Sequence, residues 1–389
     1  MRSYVVGGAV RDELLGLPVQ DKDHVVVGAT PQQMLDAGFR AVGKDFPVFL
    51  HPKTHEEYAL ARTERKTAPG YHGFSFHAAP DVTLEQDLIR RDLTINAMAL
   101  GDDGVIVDPY GGRADLEARL FRHVSEAFAE DPVRILRIAR FAARLLDFRV
   151  ADDTNVLMRQ MVEEGEVDAL VPERVWQELA RGLMERRPSR MLAVLRDCGA
   201  LARILPELDA LWGVPHPGAD TGAHLMLVVD DAAGQDHPLE IRFAVLMHSL
   251  GRETEGVKLI GDVCKRLKVP NECRDLALMS AREHAVVKRA PALGAEAIVS
   301  LIERCDGLRK PERFDQMLLA AECDTCGRGD EEHALRVFLL KALNAARGVN
   351  AGEIAGRLAD RRAQIPEAVH RARVEAVKTA LHLDGQGAG

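Results

Sequence analysis

Aromatic side chains are scarce in this sequence. Only 5% of its 389 residues are Phe, Tyr or Trp, which argues against a surface where successive bases of a single strand stack. The formal net charge is −9, so the chain lacks an overall positive field, and only local basic surfaces would serve a nucleic acid. No apolar run reaches the length that spans a bilayer. We therefore predict a protein with no membrane partner.

Cysteine is also rare, with six in the chain. The first residues form a short strand-like run and not a signal peptide, so these thiols are expected to be reduced in a cytoplasmic protein. Cys323 and Cys326 form a single Cys-x-x-Cys pair. A zinc site needs a second pair of ligands, and the next segment offers only His333. We predict no zinc site there.

Two patterns divide the chain. From about Leu116 onward, apolar residues recur at spacings of three and four, which is typical of helices. The sequence therefore predicts an α+β head over residues 1–120, a helical neck over 121–200 and a helical body and tail over 201–389. Short strand-like runs separated by glycine-rich turns fill the head: Tyr4–Val6, Val25–Val27, Val48–His51, Glu57–Ala61 and Val105–Val107.

Two carboxylates stand just before the second strand-like run. Asp21 and Asp23 are two positions apart, and alternate residues of a strand point to the same side. Because like charges repel, a bound Mg²⁺ would stabilise the pair, and Mg²⁺ binds one or two carboxylates together with substrate phosphates. Two such ions could activate an attacking hydroxyl and steady a leaving pyrophosphate. The alternative is a pair of solvated turn residues after Pro18.

A phosphate-binding turn is predicted just upstream. Gly7 and Gly8 allow the backbone to approach a phosphate closely, and Arg11 could bind it. A tight turn with an exposed arginine is the alternative. Together with the carboxylate pair, these residues resemble the head of a nucleotidyltransferase related to DNA polymerase β.

Three later segments make the resemblance more specific. They are "RRDLTINAMAL" (Arg90 to Leu100), "DPYGGRADLEARLFR" (Asp108 to Arg122) and "EDPVRILRIARFAAR" (Glu130 to Arg144). In this order they resemble the class II tRNA nucleotidyltransferases, the CCA-adding enzymes, and in particular the bacterial multifunctional type. The resemblance implies a polymerase-β-like head with a small mixed sheet, followed by an all-α neck, body and tail.

The resemblance assigns catalysis to the carboxylates of the head. It implies that Asp21 and Asp23 hold the catalytic metals, with Mg²⁺ as the cofactor. A third carboxylate from a neighbouring strand often assists such chemistry. Glu57 is the candidate, and the adjacent Glu56 is the alternative.

Nucleotide recognition is assigned to two motifs. Arg91 and Asp92 match the family's residues around the sugar and phosphates, although Asp92 could instead cap a charged helix start. Asp131 and Arg134 match the residues that read the base. Cytosine and adenine share an amino donor beside a ring-nitrogen acceptor, which a carboxylate and an arginine complement, whereas guanine and uracil present the reverse. Asp131 could also cap a helix that begins with Pro132, and the two roles are compatible.

An arginine stripe follows the base-reading motif. Arg137, Arg140 and Arg144 share a helix face with Arg134, while apolar residues lie mainly on the other side. A bare arginine stripe is usually solvated. The resemblance instead places Arg137 and Arg140 at the nucleotide.

Residues 61–88 contain several glycines and prolines and are predicted to form a mobile loop. CCA-adding relatives keep such a loop for the switch to ATP. Its presence therefore favours the addition of all three nucleotides.

The later part of the chain resembles a degraded phosphohydrolase of the HD type. In such relatives a histidine, a His-Asp pair and a later aspartate bind the metal. His224 can match the first histidine, but Ser249 follows His248 where the aspartate belongs, and serine is a poor ligand for a divalent cation. Glu283 and His284 stand where relatives show His-Asp. We therefore predict an HD-like fold without hydrolase activity, in which His248 is a structural residue.

The predicted function is the addition of C, C and A to the 3′ end of tRNA from CTP and ATP, without a nucleic-acid template. The helical remainder would hold the acceptor arm by shape and phosphate contacts, in a monomer or a homodimer. Three alternatives stay open. They are a poly(A) polymerase or a partial enzyme that adds only CC or only A, an HD-type phosphohydrolase, and a tRNA-binding protein with an inactive head.

Overall fold

The structure is a computed structural model that describes residues 1–42, 48–66, 74–216, 219–250, 253–324 and 329–383. The chain forms two compact units. The first contains Met1–Glu178 and Arg190–Ile204, and the second contains Leu179–Ser189 and Leu205–Gly389. The predicted domain boundaries at residues 120 and 200 stay predictions. No described helix is both long enough and apolar enough to cross a membrane.

A mixed sheet forms the centre of the head. The described strands of the head are β1 (Arg2–Val6), β2 (Asp23–Val27), β3 (Arg40–Val42), β4 (Val48–Leu50), β5 (Glu57–Leu60), β6 (Thr63–Lys66), β7 (Phe74–His77), β8 (Ala99–Gly101) and β9 (Ile106–Val107). The sheet has the order β3-β4-β5-β2-β1-β8-β9. Its neighbouring strands are antiparallel except β2 and β5, which run parallel. β6 and β7 form a separate antiparallel pair.

Helices surround this sheet and continue into the rest of the first unit. They are α1 (Gly8–Leu14), α2 (Pro31–Asp36), α3 (Leu84–Leu88), α4 (Gly112–Glu117), α5 (Val133–Arg144), α6 (Asp152–Glu163), α7 (Pro172–Leu183), α8 (Pro188–Asp197) and α9 (Ala200–Ile204). Two short strands, β10 (Leu120–Phe121) and β11 (Arg149–Val150), pair in parallel.

The valine run of β2 is buried on both faces of the sheet. Val25 belongs to a buried cluster with Val6 and with Leu88 of α3. Val26 points the other way, into a second cluster with Met34 of α2. A strand covered on both faces has an unbroken apolar run instead of an alternating one, which explains why three valines follow the charged residues.

All five strand-like runs of the sequence are strands in the structure, with slightly different bounds. The segment 61–88, predicted as a loop, contains β6, β7 and α3, while its residues 67–73 lie outside the described part of the chain. The sequence "FSFH" of β7 alternates apolar and polar residues, as strands do. The surrounding glycines and prolines concealed this pattern.

The second unit is built almost entirely of helices. They are α10 (Pro206–Asp209), α11 (Thr221–Gly234), α12 (Leu239–His248), α13 (Glu253–Leu267), α14 (Asn271–Arg289), α15 (Ala295–Arg304), α16 (Pro311–Cys323), α17 (Gly329–Arg347), α18 (Ala351–Arg357) and α19 (Ile365–Leu381). A two-residue strand pair, β12 (Pro215–His216) and β13 (Ala219–Asp220), precedes α11. Residues 241–247 of α12 are all buried, as expected for a helix at the centre of a core. The predicted class, an α+β head followed by a helical remainder, is confirmed.

His370 links two helices of the second unit. Its Nδ1 lies 2.8 Å from Oε2 of Glu303, and its Nε2 lies 2.9 Å from Oε1 of Glu296, both on α15. The hydrogen bond to Glu296, together with that to Glu303, outweighs partial burial and raises the pKa of His370. The protonated ring therefore ties α19 to α15.

We expect His370→Gln to cost more stability at acidic than at alkaline pH. Because the folded-state pKa is raised, the stabilisation is complete below the ordinary histidine pKa of about 6.5 and is lost as the pH rises through the folded-state value. The pairs are partly exposed, so the effect should stay below about 1 kcal/mol. Urea unfolding of both proteins at about pH 6 and about pH 9 measures the difference. An equal cost at both pH values would contradict this assignment.

Candidate active site

The ends of four neighbouring strands meet at one edge of the sheet. Val6, the last residue of β1, pairs with Asp23 at the start of β2 and with Ala99 at the start of β8. Asp23 also pairs with Glu57, the first residue of β5. Two of the predicted catalytic carboxylates therefore lie beside the glycine turn that leaves β1.

The strand register separates Glu57 from its neighbour Glu56. Residues paired in register point to the same face of a sheet, so Glu57 lies on the face of Asp23. Glu56 turns to the other side, where its Oε2 lies 3.4 Å from Nε2 of His24. Of the two glutamates, the structure brings Glu57 to the predicted site.

Asp21 lies in the coil before β2. Because β1 ends at Val6, opposite Asp23, the ladder offers Asp21 no strand partner. The alternation of side chains between the two faces of the sheet therefore begins at Asp23, and it does not orient the side chain of Asp21. Within the described ranges, the donor atoms of Asp21, Asp23 and Glu57 do not all lie within 4.8 Å of one another. All three residues are exposed, and their oxygen atoms are the kind of ligand that Mg²⁺ prefers.

Gly7 makes the turn between β1 and α1. Its φ of +72° and ψ of −131° lie in a region that favours glycine, and a Cβ atom there would be 2.9 Å from Nη1 of Arg91. Gly8 then begins α1. The Nε atom of Arg91 is buried and has no hydrogen-bond partner among the residues described, while its Nη2 lies 3.2 Å from Asp87. The turn therefore lies against the Nη1 atom of a guanidinium whose Nε donor is unused among the described residues.

Arg11 is buried, so the alternative of a tight turn with an exposed arginine is wrong. Its side chain donates from Nε to Asp12, at 2.9 Å, and from Nη1 to Asn96, at 2.7 Å. Burial outweighs the effect of Asp12 and lowers the pKa of Arg11. In this conformation Arg11 fixes α1 to the segment before β8, and its contact with nucleotide stays a prediction.

Asp92 is a buried carboxylate with a full set of donors. Its Oδ1 accepts from the backbone N–H of Leu93 and from Nδ2 of Asn96, each at 2.9 Å, and its Oδ2 accepts from Nε of Arg137 at 2.8 Å. Burial alone would raise the pKa of Asp92, but Arg137 and Asn96 hold it well below its ordinary range. The carboxylate is therefore ionised and fixed in position. Only a 3₁₀ turn, Thr94–Asn96, follows it, so Asp92 does not cap an α-helix.

Asp131 precedes Pro132, the N-cap residue of α5, and forms an ion pair. Its Oδ1 accepts from the backbone N–H of Val133 at 3.2 Å. Its two oxygens also accept from Nη1 and Nη2 of Arg174, at 3.0 and 2.8 Å. This fork of two parallel bonds fixes the plane of the carboxylate.

Arg134 is held by backbone carbonyls. It is 8% exposed, and it donates to the carbonyl oxygens of Ala127 and Arg90 at 2.9 and 2.7 Å. These bonds fix the plane of the guanidinium, and the backbone N–H of Arg134 donates to the carbonyl oxygen of Asp131, just before α5, at 3.0 Å. The structure thus brings the two predicted base-reading residues together.

Three arginines surround the ring of Phe141. The guanidinium carbons of Arg11, Arg137 and Arg140 lie 5.1, 5.6 and 4.6 Å from the ring centroid, within the range of cation–π attraction. The ring of Phe141, on α5, therefore contacts all three cations.

Carboxylates pair with the arginines of α5. Nε of Arg140 lies 2.7 Å from Glu178, and Nη2 of Arg144 lies 2.9 Å from Asp12. The predicted stripe is thus neither bare nor purely solvated. Arg137, Arg140 and Arg144 are preorganised by ion pairs, which reduces the cost of ordering them when an anion binds.

Arg174 and Glu178 were not identified from the sequence. Both lie on α7, four residues apart and so on one face of the helix. The segment "PERVWQEL" contained the signal, since charged residues at this spacing adjoin an apolar stripe. A single sequence does not reveal which distant partners such residues meet.

The head matches a known family description. Residues 3–122 match "Poly A polymerase head domain", and residues 147–211 match "Probable RNA and SrmB- binding site of polymerase A". With the carboxylates at the strand ends and the arginines of α5, this match defines a nucleotidyltransferase.

Relatives match almost the whole length of the chain. The multifunctional CCA protein of Janthinobacterium sp. (strain Marseille) is 63% identical over 407 residues, covering 98% of each chain. The multifunctional CCA protein of Ralstonia nicotianae is 62% identical over 405 residues, covering 97% of this chain and 94% of the relative. The chain therefore belongs to the family of multifunctional CCA proteins, and the resemblance found in the sequence is confirmed.

Solved structures share the fold. The Bacillus stearothermophilus CCA-adding enzyme in complex with CTP is 25% identical, with a TM-score of 0.68, covering 97% of this chain and 89% of that one. The Thermotoga maritima CCA-adding enzyme in complex with tRNA is 21% identical, with a TM-score of 0.67, covering 98% and 91%.

Proposed function

We propose that this protein adds C, C and A to the 3′ end of tRNA, using CTP and ATP and releasing pyrophosphate. The observation that carries the proposal is the 63% identity to a multifunctional CCA protein over 98% of both chains. The CTP complex of a CCA-adding enzyme with the same fold supports the choice of nucleotide. Because the substrate is tRNA, we also propose the cytoplasm as the location.

The carboxylates at the strand ends would hold the cofactor. We assign Mg²⁺ to Asp21 and Asp23, with Glu57 as the third carboxylate. When bound, the ion would activate the 3′ hydroxyl of tRNA and stabilise the charge on the leaving pyrophosphate. The in-register pairing of Asp23 with Glu57 supports this assignment.

The glycine turn would bind the triphosphate. Gly7 and Gly8 let two guanidinium groups approach the backbone. A Cβ atom at Gly7 would lie 2.9 Å from Nη1 of Arg91, and one at Gly8 would lie 3.4 Å from Nη2 of Arg11. These groups could donate to the oxygens of a phosphate bound at the turn. Asp92 keeps Arg137 in position through its ion pair. Arg140, paired with Glu178, would extend the positive surface toward the nucleotide.

Asp131 and Arg134 would read the base. The carboxylate would accept from the amino group of cytosine or adenine, and the guanidinium would donate to the adjacent ring nitrogen. GTP and UTP would turn an oxygen acceptor toward the carboxylate and an N–H donor toward the guanidinium, which is costly in a partly buried site. Arg174 is then a positioning residue, because its two bonds orient the carboxylate that accepts from the base.

We expect Arg174→Ala to raise the KM for CTP and ATP by about tenfold, with a smaller change in kcat, because Asp131 loses the two bonds that orient it. Arg174→Lys should raise the KM for both nucleotides almost as much, since an ammonium does not form the two parallel bonds to Asp131. Steady-state kinetics with each nucleotide separate the two constants. Arg181→Ala, an exposed arginine of the same helix, is the control. An unchanged KM for both nucleotides in Arg174→Ala would show that Arg174 does not belong to the nucleotide site.

Incorporation of each labelled nucleotide into tRNA lacking its terminal C, C and A tests the function. We expect two C and one A in the presence of Mg²⁺, and none in the presence of a chelator. Long runs of A would indicate a poly(A) polymerase, and products ending at CC or carrying A alone would indicate a partial enzyme. Tight tRNA binding without incorporation would indicate an inactive head.

The phosphohydrolase alternative has its own test. Metal-dependent hydrolysis of a phosphodiester that survives Asp21→Asn but is lost in His248→Ala would support it. We expect no such activity, because Ser249 follows His248 in place of a carboxylate.

A further inference from the structure

A group of histidines surrounds Asp324 in the second unit. Nε2 of His224 and Nδ1 of His248 each lie 3.3 Å from its Oδ1, and Nε2 of His284 lies 3.6 Å from its Oδ2. Among the residues described, His248, His284 and Asp324 are the one group of metal-binding side chains whose donor atoms all lie within 4.8 Å. Two imidazoles and a carboxylate form a donor set that suits a transition-metal ion. The divalent cation implied by the HD resemblance would belong here.

Lys288 places a permanent cation against the same carboxylate. Its Nζ lies 2.6 Å from Oδ2 of Asp324. It stands on α14, one turn after His284, so both side chains lie on the same face of the helix. The ammonium therefore reaches the oxygen atom that His284 also faces.

Asp324 is the one carboxylate of this group. Glu283, next to His284, does not join it, because its two oxygens accept from Arg304 at 3.3 and 2.8 Å. Ser249 contributes no charge after His248. The ammonium of Lys288 already balances the charge of Asp324. A divalent ion added to this group would be repelled by the ammonium and, among the residues that the structure describes, would find no second carboxylate to compensate.

The electrostatics of Asp324 agree with this arrangement. Burial alone would raise the pKa of its carboxyl, but His248 and Lys288 hold it at about 2. The carboxylate is thus ionised at neutral pH and already surrounded by donors.

We propose that Lys288 takes the place of a divalent metal ion in this cluster. Its ammonium neutralises Asp324 and keeps His224, His248 and His284 gathered around it, so the cluster takes up no transition-metal ion. The loss of the His-Asp pair at Ser249 removes one metal ligand, and Lys288 supplies the positive charge that the remaining carboxylate requires. This inference does not depend on the activity of the head.

Cobalt binding by the full-length chain tests the proposal. After treatment with a chelator, the protein is dialysed against Co²⁺ in a large excess of Mg²⁺, which occupies oxygen sites such as those of the head but competes poorly for imidazole. Bound Co²⁺ is counted, and its visible absorption reports nitrogen ligands. Lys288→Met removes the charge and keeps an unbranched apolar side chain, whereas Lys288→Arg keeps the charge and is the matched control.

We expect the wild type and Lys288→Arg to bind no Co²⁺ at the cluster. Lys288→Met should bind one equivalent, with a Kd at least about tenfold below the highest Co²⁺ concentration at which the wild type stays empty, because the repulsive ammonium is gone and Asp324 needs a counter-charge. This binding should disappear when His284→Ala is added to Lys288→Met. The bound Co²⁺ should also raise the melting temperature of Lys288→Met but not that of the wild type.

Two results would overturn the proposal. One is a wild type that binds an equivalent of Co²⁺ and loses it in His284→Ala. The other is a folded Lys288→Met that gains no binding. Lys288 is 40% exposed, so its replacement should be tolerated. Nucleotide addition to tRNA verifies the fold of each variant, and Lys288→Gln repeats the test if Lys288→Met does not fold.

Discussion

Asp23→Asn is expected to lower the rate of nucleotide incorporation by about a thousandfold or more, because a neutral amide binds Mg²⁺ poorly and several kcal/mol of transition-state stabilisation would be lost. Asp21→Asn should behave similarly. The change keeps the size of the side chain, and both residues are exposed, so the fold and the affinity for tRNA should remain. Single-turnover incorporation of labelled CTP measures the rate, and a filter-binding assay measures tRNA affinity.

The neighbouring strand supplies matched controls for this experiment. Glu57→Gln, beside Asp23, should also slow incorporation, though by less, since it is the third carboxylate. Glu56→Gln removes the same charge one residue away, on the side of His24, and should leave the rate almost unchanged. An unchanged incorporation rate in Asp23→Asn, or an equal loss of rate in Glu56→Gln, would show that this edge of the sheet is not the catalytic site.

Asp131→Asn is expected to reduce the preference for CTP over UTP by about ten- to a hundredfold, mainly through a lower kcat/KM for CTP. The carboxylate accepts from the amino group of cytosine, whereas an amide can equally turn its donor toward the oxygen of uracil. The same shift should apply to ATP over GTP. Competition between nucleotides in a single reaction gives the ratios directly.

Glu126→Gln is the control for Asp131→Asn. Glu126 is an exposed carboxylate five residues upstream, so its replacement changes the net charge equally without touching the base site. Selectivity that stays the same in Asp131→Asn, while the rates for all four nucleotides fall together, would mean that Asp131 supports the helix and does not read the base.

Local patterns in the sequence identified the elements of the head well. The valine run predicted β2, and the carboxylates beside it predicted a metal site at its start. The strand register was not predictable, because nothing local in the sequence states that Glu57 pairs with Asp23. From the sequence, Glu57 was therefore the candidate with the adjacent Glu56 as the alternative, whereas the register assigns them to different faces.

The surroundings of the arginines were the least predictable part of the site. Arg11 was expected to bind a phosphate, with an exposed arginine as the alternative, but in the structure it contacts Asn96, which lies 85 residues away in the sequence. Asp131 meets Arg174 across 43 residues. Such ion pairs depend on how the helices pack, and charged residues at helical spacing have the same pattern whether they face solvent or a distant partner.

The register between β2 and β5 limits how this head can be re-engineered. Residues 51–56 connect β4 and β5 outside the ladder, so a longer connection there leaves the pairing of Asp23 with Glu57 intact. An insertion of one residue within β5 shifts every later side chain to the opposite face. A head grafted onto another scaffold therefore tolerates length changes in that connection, but within β5 it accepts substitutions only.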